Sequence, residues 1–389
     1  MKTSSLISCA ATLCLLCACN DNALPPIEIP ETPPEETLSI EVTDQALDGQ
    51  VVKQVVPLSY DQDSRHSPDY AATTERGLYL RKEGQWLLST PDTWHIRHFI
   101  AVNEDYWLIS YLSKGINYLA KSVDRGLNWE NQLNNFGSNA ALSEATQEPL
   151  FRMTTNADGS RLYAVGTSVL AESLDHGQTW QALSGNWDSF GTGMSSILFV
   201  GSSPEDTASH TLFYGGQGAI EQPLLFRFDV VEANDGAYSI GEAIQFDVSA
   251  QDLLPAPAVV EKLLKLPSGD THFLATGEGG FIKTEDNGES WISLSGDKDY
   301  RFYFDMLIHP DDHNFWVTAG WKKNFDTHQP LIIEVSKDAG KTWQTLIWEG
   351  ENEQGVFGGV WSMSWKDTDT NTLHLGTYRG GIFTVRIDD

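Results

Sequence analysis

From about residue 58 onward the chain is written in short apolar runs separated by turn-forming clusters. Val259-Val-Glu-Lys-Leu-Leu-Lys-Leu266 is followed by Thr271-His-Phe-Leu-Ala-Thr-Gly277 and then by Gly279-Gly-Phe-Ile-Lys-Thr284, with Pro, Ser, Gly and Asp between them. Short apolar runs punctuated in this way predict β-strands joined by tight turns. The order recurs along the chain, and residues 266–277 align without a gap to residues 309–320. The last segment, 357–389, holds three such runs and no fourth.

Between the runs one phrase is written four times: Ser122-Val-Asp-Arg-Gly-Leu-Asn-Trp129, Ser173-Leu-Asp-His-Gly-Gln-Thr-Trp180, Thr284-Glu-Asp-Asn-Gly-Glu-Ser-Trp291 and Ser336-Lys-Asp-Ala-Gly-Lys-Thr-Trp343. An Asp in a turn accepts hydrogen bonds from the backbone N–H groups that follow it. A Gly two residues later supplies the positive φ of a tight hairpin. Asp124, Gly126 and Trp129, and the equivalent Asp175, Gly177, Trp180, Asp286, Gly288, Trp291, Asp338, Gly340 and Trp343, are therefore read as structural staples. Calcium loops also use Asp and Gly, but they need further carboxylates at alternate positions and a terminal Glu. No metal or other cofactor is expected. The phrases begin at 122, 173, 284 and 336, so the intervals are 51, 111 and 52 residues, and one unit without the phrase is expected in the middle. A β-rich period near fifty residues is that of a propeller blade.

On these four phrases the chain resembles the Asp-box (BNR repeat) β-propellers, which include sialidases, xyloglucanases, sortilin-type receptors and photosystem II assembly factors. The expected fold is all-β, a single β-propeller of four-stranded blades, counted near 58–90, 93–133, 148–185, 193–248, 256–296, 300–350 and 357–389. That gives seven, with six or eight left open by the irregular fourth unit and weakly patterned first. Val51-Val-Lys-Gln-Val-Val56 is the candidate strand to complete the last blade, because closure removes exposed sheet edges.

The N-terminus changes the picture of where such a molecule works. Lys2, an apolar stretch from Leu6 to Ala18 and Leu16-Cys17-Ala18-Cys19 read as a lipoprotein signal, cleaved before Cys19, whose thiol is acylated. Asn20 leans towards the outer membrane by the sorting rule of such lipoproteins. All four cysteines lie in this segment, so the body carries no disulfide. Residues 19–50 are rich in Pro and Glu and are expected to be a disordered tether, leaving 51–389 for the propeller. The net charge of −29 argues against nucleic acid as a partner. Membrane contact would come through the lipid, and a monomer is expected.

The resemblance implies a ligand-facing side opposite the Asp-box hairpins, formed by the loops before first strands and between second and third strands. There the binding candidates are Trp94, Arg97, Trp187, Tyr300, Arg301, Trp321, Trp361, Tyr378 and Arg379, with His95, Phe190, Tyr303, Phe357, Lys322 and Lys323 nearby. Aromatic faces of this kind stack on sugars or anchor protein interfaces. Sialidases need an arginine triad and a Tyr–Glu pair. Arg97, Arg301, Arg379, Tyr303 and Glu278 supply the residue types, but the Arg-Ile-Pro signature is absent. Other glycosidases need two carboxylates, for which Asp305 and Glu278 are the candidates. His309 and His313 flank a Pro-Asp-Asp turn at a spacing that metals use, with a solvated turn as the simpler reading. The sequence thus points to a non-catalytic module binding an envelope protein or a glycan, with a glycoside hydrolase as the alternative.

Overall fold

The computed structural model describes residues 38–58, 67–132, 135–136, 149–156, 159–185, 193–201, 209–232, 238–249, 251–255, 258–294, 301–322, 324–325, 327–350, 356–357, 359–366 and 369–388. The expected signal, Cys19 and most of the expected tether lie outside them. Among the described residues there are thirty-two strands and no helix. Seven sheets of four or five strands, antiparallel except where Asn135–Phe136 pairs parallel with Thr179–Gly185, follow one another along the chain as the blades of a seven-bladed β-propeller. The innermost strands are Val52–Pro57, His95–Ala101, Arg152–Thr155, Gly193–Gly201, Val260–Lys265, Met306–Ile308 and Val360–Lys366. The count of seven, and the phrase-free unit between the second and third phrases, match the sequence spacing.

The burial of each strand explains its sequence. Second strands lie between two neighbours inside a blade and between two blades, so both faces are buried. Tyr70–Thr74, Phe273–Gly277 and Trp316–Gly320 are accordingly continuous runs of buried residues. Fourth strands face solvent and are mostly exposed, as in Gln85–Leu88. Seven apolar clusters result, one at each joint between neighbouring blades. At the joint of blades 2 and 3, for example, Leu108 and Leu119 meet Leu162, Ala164 and Trp180. Blade 4 departs from the pattern: its outermost position is split between Tyr238–Ile240 and Ile244–Phe246, both paired with Pro223–Glu232.

The last blade closes with a strand from the N-terminal side, but a different one from that expected. Ser39–Ala46 pairs antiparallel with Ile382–Asp388, whereas Val52–Pro57 is the innermost strand of blade 1. The reason is burial. Val52 and Val55 are shut away near the axis, while Ser39–Ala46 alternates exposed and half-buried positions, as an outer strand must. The propeller therefore begins within the stretch that the Pro/Glu-rich composition assigned to the tether.

The four repeated phrases form one hydrogen-bonded clasp, repeated between third and fourth strands. The hydroxyls of Ser122, Ser173, Thr284 and Ser336 each donate to the following Asp Oδ1 and each accept the N–H of the Gly. The same Oδ1 accepts the backbone N–H four residues on, at 2.8 Å in all four copies. Arg125, His176, Asn287 and Ala339 and the Gly after each have positive φ, the conformation of a tight hairpin. A methyl group on Gly126 would come within 2.9 Å of Trp107, and one on Gly340 within 2.8 Å of Trp316, so Gly is also required by the packing beneath. Trp180 and Trp343 fold back and donate their indole N–H to the carbonyl of their own clasp Gly.

Donation from Ser290 and Thr342 holds the Asp286 and Asp338 carboxyls down at about 2. An unfolded Asp titrates near 3.9, so the clasps stabilise the fold fully above that value and lose their contribution as pH falls from about 4 to about 2. In thermal unfolding across this window, the native protein is expected to lose Tm more steeply than the double variant Asp286→Asn, Asp338→Asn. Parallel curves would show that these carboxylates do not carry the acid sensitivity.

Candidate functional site

The innermost strands converge on the axis, and most of them carry the same irregularity. A register shift falls between Val52 and Gln54, Ile96 and His98, Met194 and Ser196, Val260 and Lys262, and Val360 and Ser362. Each is a β-bulge, which inserts one unpaired residue and re-aims the side chains beside it. The inserted residues are Lys53, Arg97, Ser195, Glu261 and Trp361. All five line an upper chamber of about 340 Å³, and the residue after each lines a lower chamber of about 210 Å³. Blades 3 and 6 contribute the consecutive pairs Arg152 and Met153, and Phe304 and Asp305, without such a register shift. The result is a two-tiered throat built from one consecutive pair per blade. By the antiparallel order, the upper tier lies at the end of the propeller away from the clasps.

The lower tier holds neighbouring blades together. Gln54 Oε1 accepts the Phe99 N–H at 2.8 Å, His98 Nδ1 accepts that of Met153 at 3.3 Å, and Ser362 Oγ accepts that of Val55 at 2.9 Å. Ser195 and Ser196 donate to the Val260 carbonyl. Asp305 joins three blades: its carboxylate accepts N–H groups of Met306 and Met363 and pairs with Lys262 Nζ at 3.1 Å. The joint of blades 3 and 4 differs, with the Met194 N–H donating to the Gly166 carbonyl. Burial first, and then the charges of Arg152 and Lys262, push the His98 imidazole well below its ordinary value, so it stays neutral and keeps Nδ1 as an acceptor.

The upper tier is chemically different. Lys53, Arg97 and Arg152 come from three successive blades and, among the described residues lining the chamber, share it with one carboxylate, Glu261. Arg97 donates to Asn117 and Arg152 to the Phe151 carbonyl. Desolvation lowers the affinity of all three cations for their protons. Beside Lys53 stands an aromatic wall. Phe304 and Trp361 are parallel at 5.0 Å and 6°, and Trp361 continues onto Tyr378 at 6.2 Å and 18°. Lys53 Nζ lies 5.3 Å from the Trp361 ring. The indole nitrogens of Trp321 and Trp361 are buried and have no hydrogen-bond acceptor.

Of the binding candidates named from sequence, Arg97, Trp321 and Trp361 line this chamber. Tyr378 extends the wall outward, with the Arg379 guanidinium 5.0 Å from its ring. Trp94 is elsewhere, stacked at 4.0 Å on Tyr111 within the core between blades 1 and 2. Arg301 pairs with buried Glu334 at 2.8 Å, and the Tyr303 hydroxyl donates to the same carboxylate, so both belong to the interior of blade 6. Trp187, Tyr300, Phe190 and Lys323 lie outside the described residues. Asp305 is in the lower tier, and Glu278, backbone-bridged to Phe302, lines neither chamber. His309 Nδ1 accepts the N–H groups of Asp311 and Asp312, which ties it to its own turn. Among the described residues no three His, Cys, Asp or Glu side chains are grouped to hold a metal ion.

Sequence reasoning missed Lys53, Arg152, Glu261, Lys262 and Phe304. It looked to the loops, whereas these residues sit on the first strands or, for Phe304, just before Met306–Ile308. The signal was present as adjacent charges inside runs such as Val259-Val-Glu-Lys-Leu-Leu264.

No family model and no curated protein matches the chain. Solved structures do match in fold. A xyloglucanase of glycoside hydrolase family GH74 from Xanthomonas campestris aligns with a TM-score of 0.59 at 15% identity, covering 90% of this chain and 53% of that one. The GH74 enzyme of Niastella koreensis gives 0.58 at 14%, covering 89% and 53%. The chain thus spans about half the length of these two enzymes. YCF48 bound to D1 peptide gives 0.53 at 14%, covering 90% of this chain and 95% of that one. At these identities the likeness is one of fold, and a single fold hosts many chemistries.

Removing the charge that joins three blades should weaken the whole assembly. Asp305→Asn is expected to lower the unfolding free energy by about 1–3 kcal/mol in chemical denaturation, with loss of the Lys262 pair. An unchanged midpoint would mean that the joint does not depend on it.

Proposed function

We propose that this protein is a non-catalytic binding module of the bacterial cell envelope, an Asp-box propeller that takes its ligand in the upper tier of the throat. The observation that carries the reading is the division between the tiers. The carboxylate best placed for chemistry, Asp305, is committed to two backbone N–H groups and a lysine. A general acid or nucleophile needs freedom to exchange a proton or attack. The upper tier, with cations and an aromatic wall around a chamber of about 340 Å³, has the composition of a recognition site. The fold is compatible with such work, since YCF48 was solved with a peptide bound.

A second reading is a glycoside hydrolase. It is supported by the two GH74 enzymes that share the fold and by Glu261 and Asp305, which line the same lower chamber. The two readings separate in one experiment. A glycan array and a panel of polysaccharide substrates are probed with the native protein, Trp361→Ala and Asp305→Asn. The binding reading expects retention of a ligand without turnover, weakened about tenfold or more in Trp361→Ala. Turnover that Asp305→Asn abolishes would overturn it.

The reading also places the molecule on a membrane through an acylated Cys19, with the Pro/Glu-rich stretch as a spacer. Cys19→Ser is expected to move the protein from the membrane fraction to the soluble fraction. Continued sedimentation with membranes would remove the lipid anchor from the account.

A further inference from the structure

We propose that the upper tier recognises a carboxylated sugar, a hexuronic acid residue whose carboxylate meets Lys53, Arg97 and Arg152 and whose ring lies along Trp361. The inference rests on the binding reading above and specifies its ligand.

Three features of the chamber select this chemistry. The first is charge. Among the described residues, the cations lining the two tiers, Lys53, Arg97, Arg152 and Lys262, outnumber the lining carboxylates Glu261 and Asp305 by two, with Glu75 also acting on Lys53, in a chain whose net charge is −29. Lys262 is balanced by Asp305, so the surplus belongs to the upper tier. Burial works against the charged forms of its three cations, and an anion placed among them relieves that cost. The second is hydrogen bonding. The upper tier is rich in donors: an ammonium and two guanidiniums. A sugar acid is rich in acceptors, through its carboxylate, ring oxygen and hydroxyls. An acidic peptide would instead bring a row of backbone N–H groups, each needing an acceptor when buried. The third is shape. Phe304 and Trp361 stack on one another and both line the chamber, giving it an apolar wall for the C–H groups of a pyranose ring while its hydroxyls point outward. A chamber of about 340 Å³ lies at the small end of the roughly 300–1,000 Å³ found for ligand pockets, which suits one or two rings at the end of a chain.

The experiment is isothermal titration of the detergent-solubilised full chain with trigalacturonate, its neutral galactose counterpart and triglutamate. Trigalacturonate is expected to bind, and to bind more weakly as salt rises. Lys53→Gln and Arg97→Gln should each reduce its affinity about tenfold or more, the loss of a charge-assisted hydrogen bond. Both keep the melting temperature of the native protein, which serves as the folding control. Equal binding of the neutral sugar, affinity unmoved in both variants, or no binding of trigalacturonate would each overturn the proposal. Binding of triglutamate alone would overturn it while leaving a binding module in place. Release of shorter uronates during titration would overturn the non-catalytic reading and leave carboxylate recognition standing.

Discussion

Seven strands that meet at an axis each present a sheet edge with no further strand to pair with it. Their N–H and C=O groups are buried, and leaving one of them unsatisfied costs about 1–3 kcal/mol. The lower tier of the throat answers this constraint with side chains. Gln54, His98, Asp305 and Ser362 accept the N–H groups of Phe99, Met153, Met363 and Val55 on the next blade round. Each bond both satisfies an edge and joins two blades, so the ring that solves the local problem also closes the wheel. The bulges make it possible, because an ordinary strand would send only alternate residues towards the axis.

The same bulges leave a second ring of side chains one residue earlier, with little to do for the fold. This separation lets stability and recognition occupy consecutive positions of one strand. Asp305 and Lys262 are held by the architecture. Lys53, Arg97 and Trp361 project above them, and their joint effect is a cationic, aromatic throat. The acidic exterior does little to cancel it, because charges farther away than about 8–10 Å are largely screened at physiological salt. Exterior and throat thus carry opposite signs without contradiction.

At the other end of the propeller the clasps act entirely within the fold. Their Asp carboxylates are occupied by Ser, Thr or Asn donors and backbone N–H groups. Each Gly sits over side chains near the blade joints, which is why one short phrase serves four blades of otherwise different sequence. Blade 4 lacks it, and its outermost strand is broken in two.

The period of the four phrases determined the all-β repeat and its count, because hairpin geometry is local: an Asp, a Gly and a hydroxyl within eight residues suffice to build it. The enclosed second strands were legible for the same reason, as apolar runs of the right length. Which strand closed the ring was not, since Ser39–Ala46 and Val52–Pro57 differ mainly in how deeply the assembled wheel buries them. Nor was the throat. Lys53, Arg152, Glu261 and Asp305 come from segments more than 250 residues apart at the extremes, and only the assembled ring brings them together. Trp94 and Arg301 show the converse, residues of suitable chemistry that packing against Tyr111 and Glu334 committed to the interior. Local chemistry wrote the blades; the convergence of seven distant strands on one axis decided what stands in the centre.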